Sequence, residues 1–297
     1  MSFRAALSAL LAALLLAGCG GAAREDERLS GSDGPALWEI RKDGALEGWL
    51  FGTIHALPDG TSWRTDRFDA AFDASDLLVL EITEYDGSFD RDEALQRLAI
   101  TRGMPLPSQR LDKEDRPTLR SAFAEAGLDE REFRDVESWA IALSLSSALS
   151  RADPANGIDR KLYGEARNRK NYPVVALEGA ERQLGIFDRL PKSAQLALLE
   201  GVAAEAEAES DEDGRVEHWR TGDLVKLEGE ISSGYMAQPL LLAALLNDRN
   251  LDWVPRIATL LEAGPKPFIA VGAGHMLGDK ALDRLLAEAG YEVVRIQ

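Results

Sequence analysis

The sequence predicts an α/β domain, close to α+β in layout. Its mixed sheet contains parallel strands, helices flank the sheet, and further helices form an insert lobe. Strand-like apolar runs lie near both ends of the chain, and most of the residues between them carry apolar positions at helical spacing. Strand patterns that alternate with helical patterns are typical of α/β sheets. We place this domain at residues 36–297.

The predicted elements follow from local patterns. The Asp43-Gly44 step between two apolar runs indicates an antiparallel hairpin, because this pair favours the tight turns that join such strands. Continuous apolar runs, two of which carry a glutamate at or near the end, predict buried strands. The predicted strands are residues 37–40, 48–51, 77–82, 173–178, 267–271 and 291–296. The predicted helical stretches are residues 66–75, 91–150, 157–169, 180–253 and 277–289.

Residues 1–18 have the pattern of a lipoprotein signal peptide. A basic start precedes an apolar segment too short to span a membrane, and Leu16-Ala17-Gly18-Cys19 resembles the bacterial lipobox. Cys19, the only cysteine, is the predicted lipidation site, with acyl chains such as palmitate, and residues 19–35 are a flexible tether. An ordinary secretory signal is the alternative. By the same resemblance, Gly20 after the cysteine favours anchoring in the outer membrane. The protein would then lie on the periplasmic face of that membrane or at the cell surface.

Composition and motifs exclude several classes of function. With 34 basic and 51 acidic residues, the formal charge is −17, which repels phosphate backbones and argues against a nucleic-acid partner. The sequence contains no Walker loop, no Gly-x-Ser-x-Gly, no His-Glu-x-x-His and no Gly-x-Gly-x-x-Gly. The single cysteine belongs to the lipobox, so thiol catalysis is excluded.

Two of the three histidines lie in the same short pattern, Gly-x-x-His, at residues 52–55 and 272–275. Each pattern follows a predicted strand, and open α/β sheets bind ligands beyond the carboxyl ends of their strands. Imidazole is a common metal ligand and acid–base group. The repetition therefore predicts one functional site that contains His55 and His275. His218 lies in a polar helical context, and we interpret it as structural.

Two glutamates and an arginine are candidate neighbours of these histidines. Glu81 and Glu178 lie at or near the ends of buried strands, where a carboxylate is costly unless it is paired or binds a cation. With the histidines they make a mixed nitrogen and oxygen set that suits Zn, Mn or Co, although a structural arginine partner is an equal alternative for each glutamate. Arg249 is expected to hold an oxyanion or to pair with either glutamate. Asp159 is interpreted as a carboxylate that favours a helix start.

Gly52, Gly272 and Gly274 are the candidate backbone positions of the site. Without a Cβ, a glycine lets the chain turn sharply or lets a ligand approach the backbone closely. Backbone N–H groups that such a turn leaves free can bind an anion or an oxyanion.

Several short segments match the motifs of one known family. By these segments, residues 36–297 resemble the TraB/GumN-like family, which includes bacterial lipoproteins and to which the animal Tiki proteins, metal-dependent proteases, are related. The resemblance implies that both Gly-x-x-His motifs and the glutamate after the strand, here His55, His275 and Glu81, form the active site. The matching segments are residues 51–55, 80–81, 157–159, 177–179, 219–223, 249–250, 271–278 and 290–293.

The first functional hypothesis is a lipid-anchored, metal-dependent hydrolase of the cell envelope, of the peptidase type, with a peptide or small-molecule substrate. In it His55 and His275 ligate the ion, and Glu81 is the third ligand or the general base. Glu178 and Arg249 orient water or stabilise the oxyanion. The alternatives are a lipoprotein that binds haem or a small ligand without turnover, and an enzyme-derived scaffold.

Overall fold

The computed structural model describes residues 34–85, 91–208 and 212–297. Cys19, the predicted signal peptide and most of the predicted tether lie outside these ranges, so the lipid anchor stays a prediction. Within them, no helix combines the length and the apolar character needed to cross a bilayer.

Within the described residues, six strands form one mixed sheet, which confirms the predicted fold class. They are β1 Leu37–Lys42, β2 Ala45–Thr53, β3 Leu77–Leu80, β4 Val174–Ala176, β5 Pro267–Gly272 and β6 Glu292–Arg295. Their order across the sheet is β4-β3-β5-β2-β1-β6. Strands β2, β3, β4 and β5 are parallel, whereas β1 pairs antiparallel with both β2 and β6.

The hairpin between β1 and β2 has the geometry that its turn residues predict. Lys42 pairs with Ala45 across a two-residue loop, and both loop residues have positive φ, 52° at Asp43 and 80° at Gly44. Positive φ at both positions defines the type I′ turn, whose twist matches that of the flanking strands.

Helices surround the sheet and fill the middle of the chain. Shorter 3-10 turns and the π-helical segment Ala243–Asn247 separate some of them. The α-helices are α1 Asp66–Asp73, α2 Arg91–Ala99, α3 Arg116–Glu125, α4 Ser138–Leu149, α5 Ile158–Asn168, α6 Ala180–Asp188, α7 Lys192–Glu207, α8 Glu212–Arg220, α9 Leu224–Ser233, α10 Pro239–Leu242, α11 Asp248–Glu262 and α12 Leu282–Glu288.

The prediction of a helix over residues 277–289 is wrong about where the helix starts. A 3-10 turn, Ala273–Met276, follows β5, and α12 begins only at Leu282. The reason is local, because Gly278 has a φ of 77°, which an α-helix does not accept. The predicted stop at Gly290 is confirmed, since this glycine has a φ of 95° directly after the helix.

The two faces of the sheet bury separate apolar clusters. Phe268 and Ala270 of β5 pack on the side covered by α1, α5 and α8, whereas Ile269 and Val271 pack on the side covered by α11 and α12. This alternation follows from the two-residue period of a strand. A third cluster, around the fully buried Trp139, joins α2, α3, α4, α6 and α7 into the helical lobe that the sequence predicts.

Candidate functional site

The site lies where the four parallel strands end. His55 follows β2, Glu81 follows β3, Glu178 follows β4 and His275 follows β5. Because parallel strands present their carboxyl ends at one edge, residues that are far apart in the chain meet there. The structure thus brings together the four residues that the strand patterns and the Gly-x-x-His motifs single out.

His55 is held by a carboxylate from the first turn of α5. Its Nδ1 lies 2.8 Å from Asp159 Oδ2, and the other oxygen of Asp159 accepts a 2.8 Å hydrogen bond from the Thr53 hydroxyl. The side chain of His55 is 65% exposed, whereas that of Asp159 is buried. Desolvation opposes the charged ring, but the charge and hydrogen bond of Asp159 outweigh it and raise the pKa of His55 to about 9.

The approach of α5 to His55 depends on Gly157, directly before the helix. A Cβ on this residue would stand 2.2 Å from the backbone oxygen of His55. The next amide, that of Ile158, donates a 2.9 Å hydrogen bond to Ile54 O. The glycine therefore lets the helix start press against the loop after β2, which brings Asp159 to the imidazole.

His275 has an entirely different environment, because it is buried. Its ring packs at 4.4 Å, centroid to centroid, against Trp253, and its Nδ1 lies 2.6 Å from Asn250 Oδ1. Asn250 Nδ2 donates to the backbone oxygens of His275 and Lys280, at 3.0 and 2.7 Å. Asn250 Oδ1 is therefore the acceptor, which assigns the imidazole proton to Nδ1 and leaves the lone pair on Nε2. Burial lowers the pKa of His275 to about 3, so the ring is neutral.

Glu81 lies at the centre of the site. Its Oε1 accepts a 2.8 Å hydrogen bond from the Gly272 amide and lies 3.6 Å from His275 Nε2. Its Oε2 accepts hydrogen bonds from Gln183 Nε2, at 3.2 Å, and from Arg249. Burial favours the neutral acid, but the Arg249 guanidinium holds the pKa of Glu81 well below its usual range.

Arg249 joins the two glutamates and His275. Its Nε and Nη2 lie 3.1 and 2.6 Å from Glu178 Oε1, and its Nη1 lies 3.1 Å from His275 Nε2. Glu178 Oε2 is buried and has no hydrogen-bond partner among the described residues. Burial raises the pKa of Glu178, with the nearby Glu81 charge adding to the effect. With both glutamates ionised, one guanidinium leaves this centre with an excess negative charge.

The glycines of the two motifs permit close approach. A Cβ on Gly272 would stand 3.2 Å from Glu81 Oε1 and 3.4 Å from His55 Nε2, so a larger residue would crowd both groups. A Cβ on Gly52 would stand 3.3 Å from the Cα and Cβ of Ala273, where the two motifs pack together. The Gly272 amide binds the carboxylate of Glu81, an anion of the protein itself. Gly274 lies within the 3-10 turn, and its oxygen accepts from the Leu277 amide.

Sequence reasoning missed the residues that orient the candidate groups. Asp159 holds His55 rather than only favouring a helix start, and Asn250 fixes His275. Gln183, on α6, contacts Glu81. The only sequence signal for Asp159 was its place in a family-like segment, since its partner is 104 residues away. His218, which the sequence sets aside, pairs with Glu230 on the neighbouring helix α9.

The side chains of the site include the nitrogen and oxygen donors that divalent ions prefer, and hydrogen bonds orient both imidazoles. In the part of the chain that the structure describes, no group of three or more His, Cys, Asp or Glu side chains is arranged to hold a metal ion. Yet both imidazoles have an oxygen partner on Nδ1, which is how proteins orient metal-ligating histidines. The 3.6 Å between Glu81 Oε1 and His275 Nε2 is close to the separation of about 3–3.5 Å expected for two atoms bound to one ion. Arg249 is the feature that does not fit a metal site, because it donates a hydrogen bond to the Nε2 lone pair of His275 that would bind the ion.

Comparison with known proteins places the chain among relatives of similar length. The model of the TraB/PrgY/gumN family matches residues 36–295. The uncharacterized protein YbaP of Shigella flexneri is 25% identical over 273 residues, which are 85% of this chain and 92% of that protein. YbaP of Escherichia coli strain K12 is 26% identical over 273 residues, which again cover 85% of this chain and 92% of that protein. No solved structure matches the chain significantly.

Proposed function

The chain belongs to the TraB/PrgY/gumN family, and from this premise we propose that it is a lipid-anchored, metal-dependent hydrolase of the cell envelope that cleaves peptide bonds. One observation carries the proposal. Two imidazoles, each oriented through Nδ1 by a neighbouring oxygen, accompany one buried carboxylate at the carboxyl edge of the sheet. The resemblance to metal-dependent proteases supports the choice of peptide substrates.

The ion would be held by His55 Nε2, His275 Nε2 and Glu81 Oε1. When bound, such an ion supplies a Lewis acid that polarises a carbonyl and lowers the pKa of water. The protein's part is to hold the donors rigidly. Asp159 and Asn250 fix the two rings, and the Gly272 amide fixes Glu81.

Glu178 is the proposed proton carrier. Peptide hydrolysis requires that the attacking water lose a proton and that the departing amine gain one. Glu178 suits this exchange because its pKa is raised by burial and its Oε2 has no partner among the described residues. Arg249, next to it, supplies a cation that can stabilise the oxyanion formed when water adds to the carbonyl carbon.

Placement in the envelope rests on the sequence. Residues 1–18 and Cys19 have the lipoprotein pattern, and the anchored chain would meet peptides of the periplasm or the cell exterior. The membrane is then a partner through the N-terminal lipid. The acidic surface, with its formal charge of −17, argues against nucleic acid as a partner.

Metal content and peptide cleavage test the proposal together. The purified protein is treated with a chelator, reloaded with Mn²⁺, Co²⁺ or Zn²⁺, and measured by elemental analysis and with a peptide library. We expect one ion per chain and cleavage in the wild type, with both lost in His55→Ala and His275→Ala. His218→Ala is the matched control, because this histidine pairs with Glu230 and is expected to change neither.

Equal metal retention by wild type and His55→Ala would remove the metal part of the proposal. A Soret band on haem titration that disappears in His275→Ala would instead favour the haem-binding alternative. The burial of His275 counts against that alternative, because a haem macrocycle needs more open space beside Nε2 than a single ion does. A cellular phenotype that neither histidine substitution affects would favour a scaffold.

A further inference from the structure

We infer that the Arg249 guanidinium and the divalent ion are alternative occupants of one site, so that Arg249 competes with the ion for Glu81 and His275. This inference rests on the proposed metal dependence and deepens it. It makes Arg249 an internal cation that sets how tightly the site binds metal.

The competition follows from the atoms that Arg249 contacts. Its Nη1 lies 3.1 Å from His275 Nε2, the nitrogen whose lone pair would bind the ion. The Asn250 amide fixes the proton of this ring on Nδ1, so His275 offers no second lone pair. Nη2 contacts Glu81 Oε2, and a carboxylate engaged with a guanidinium is a weaker ligand. The ion and the guanidinium therefore compete for two of the three proposed ligands.

Arg249 also has a place to which it can withdraw. Its Nε and Nη2 already contact Glu178 Oε1, and its Nη1 contacts Leu245 O at 2.9 Å. A guanidinium that leaves Glu81 and His275 keeps these contacts and leaves Glu178 Oε2 without a partner among the described residues. Withdrawal therefore does not strand a buried charge.

The backbone next to Arg249 departs from a regular α-helix. The π-helical segment Ala243–Asn247 precedes α11, and Arg249 is the second residue of that helix. Single π turns inside helices occur frequently at functional sites. The Arg249 guanidinium also lies 4.6 Å from the centre of the Trp253 ring, a contact that a small shift along Glu178 need not break.

Metal titration of an Arg249 variant tests the inference without an activity assay. Full-length protein in detergent is titrated with MnCl₂ by isothermal calorimetry, as wild type and as Arg249→Gln. We expect Arg249→Gln to bind Mn²⁺ at least tenfold more tightly. Arg256→Gln is the control, because it removes one positive charge from the same helix but contacts Leu177 O and Asp252 instead of the proposed ligands. Its affinity is expected to match that of the wild type.

Loss of Arg249 leaves two buried carboxylates without their cation, which can destabilise the fold. The double variant Arg249→Gln/Glu178→Gln removes one charge of each sign and keeps all three proposed ligands, so it repeats the test. If Arg249→Gln melts early, Mn²⁺ should raise its melting temperature more than that of the wild type. Binding by both variants that is equal to or weaker than wild-type binding overturns the inference. If wild-type binding then still requires His275, the proposed function survives, whereas no binding by any variant removes both.

Discussion

The two histidines of the site are chemically unlike each other. His55 is mostly exposed and pairs with the carboxylate of Asp159, which keeps its ring charged at neutral pH. His275 is buried against Trp253 and pairs with the neutral amide of Asn250, which leaves it uncharged. The repeated Gly-x-x-His therefore yields one ring suited to donating a proton and one suited to offering a lone pair. Binding of an ion by His55 must displace its proton.

Replacing Asp159 tests what sets the charge of His55. Asp159→Asn should lower the pKa of His55 from about 9 toward its ordinary value of about 6.5, because the ring then loses the charge and the hydrogen bond of the carboxylate. NMR titration of the ring measures this. Thr53→Val, which removes the other contact of Asp159 but keeps its charge, should leave the pKa raised. An unchanged pKa in Asp159→Asn would contradict the assignment.

The same pair has a defined effect on stability. Because the pKa of His55 is raised in the folded state, pairing with Asp159 stabilises the fold fully below the unfolded-state pKa near 6.5. This contribution is lost as the pH rises through about 9. The difference in unfolding free energy between wild type and Asp159→Asn should therefore shrink between pH 6.5 and 9, as measured by urea unfolding. A difference that grows over this range would have the wrong sign.

Asn250 tests how the buried ring is held. Asn250→Ala removes the partner of His275 Nδ1 and the donor to two backbone oxygens, so polar groups lose partners inside the protein. We expect the free energy of unfolding to fall by about 1–3 kcal/mol in urea. Asn168→Ala, at the exposed end of α5, should change it by less than about 0.5 kcal/mol. Equal losses in both variants would show that the Asn250 contacts contribute nothing.

At the scale of elements, the site depends on where helices start. Helix α5 begins against the loop after β2 and carries Asp159, whereas α11 begins after a π-helical segment and carries Arg249 and Asn250. Strands bring the candidate ligands to one edge, and helix starts bring the groups that orient or neutralise them. The positions of both kinds of element therefore determine the geometry of the candidate site.

Glycine substitutions along α5 test this docking. Gly157→Ala places a Cβ 2.2 Å from His55 O, so the helix start must shift, at a cost of about 1–3 kcal/mol. Gly164→Ala, within the same helix, meets nothing within 4 Å and should stabilise by about 0.5–1 kcal/mol. Thermal unfolding of both variants gives the comparison. If Gly157→Ala is as stable as Gly164→Ala, the close approach at α5 does not matter.

Sequence patterns predict the strands of this protein better than they predict its side-chain contacts. Apolar runs located the strands before Glu81 and His275, and the parallel arrangement then brought these residues to one edge. The partners of both histidines were not predictable, because hydrogen bonds depend on side-chain directions across packed elements. The late start of α12 was missed for a related reason, since a glycine with positive φ is not distinguishable in sequence from a helical one.

At the scale of the whole molecule, we expect the folded domain to be held at a membrane by an N-terminal lipid. Acyl chains contribute about 0.8 kcal/mol per buried methylene, so more than one chain anchors firmly. Cys19→Ser should therefore move the protein from the membrane fraction to the soluble fraction and abolish palmitate labelling. Gly20→Ala, which keeps the cysteine, should remain in the membrane. Continued membrane association of Cys19→Ser would contradict lipid anchoring.

The central claim is that the two Gly-x-x-His histidines and Glu81 share one divalent ion. Anomalous diffraction at the manganese edge, from crystals grown with MnCl₂, tests it most directly. We expect a peak within about 2.3 Å of His55 Nε2, His275 Nε2 and Glu81 Oε1, with Arg249 turned toward Glu178. A fully loaded crystal without a peak at these atoms, in which Arg249 still contacts Glu81 and His275, would contradict it.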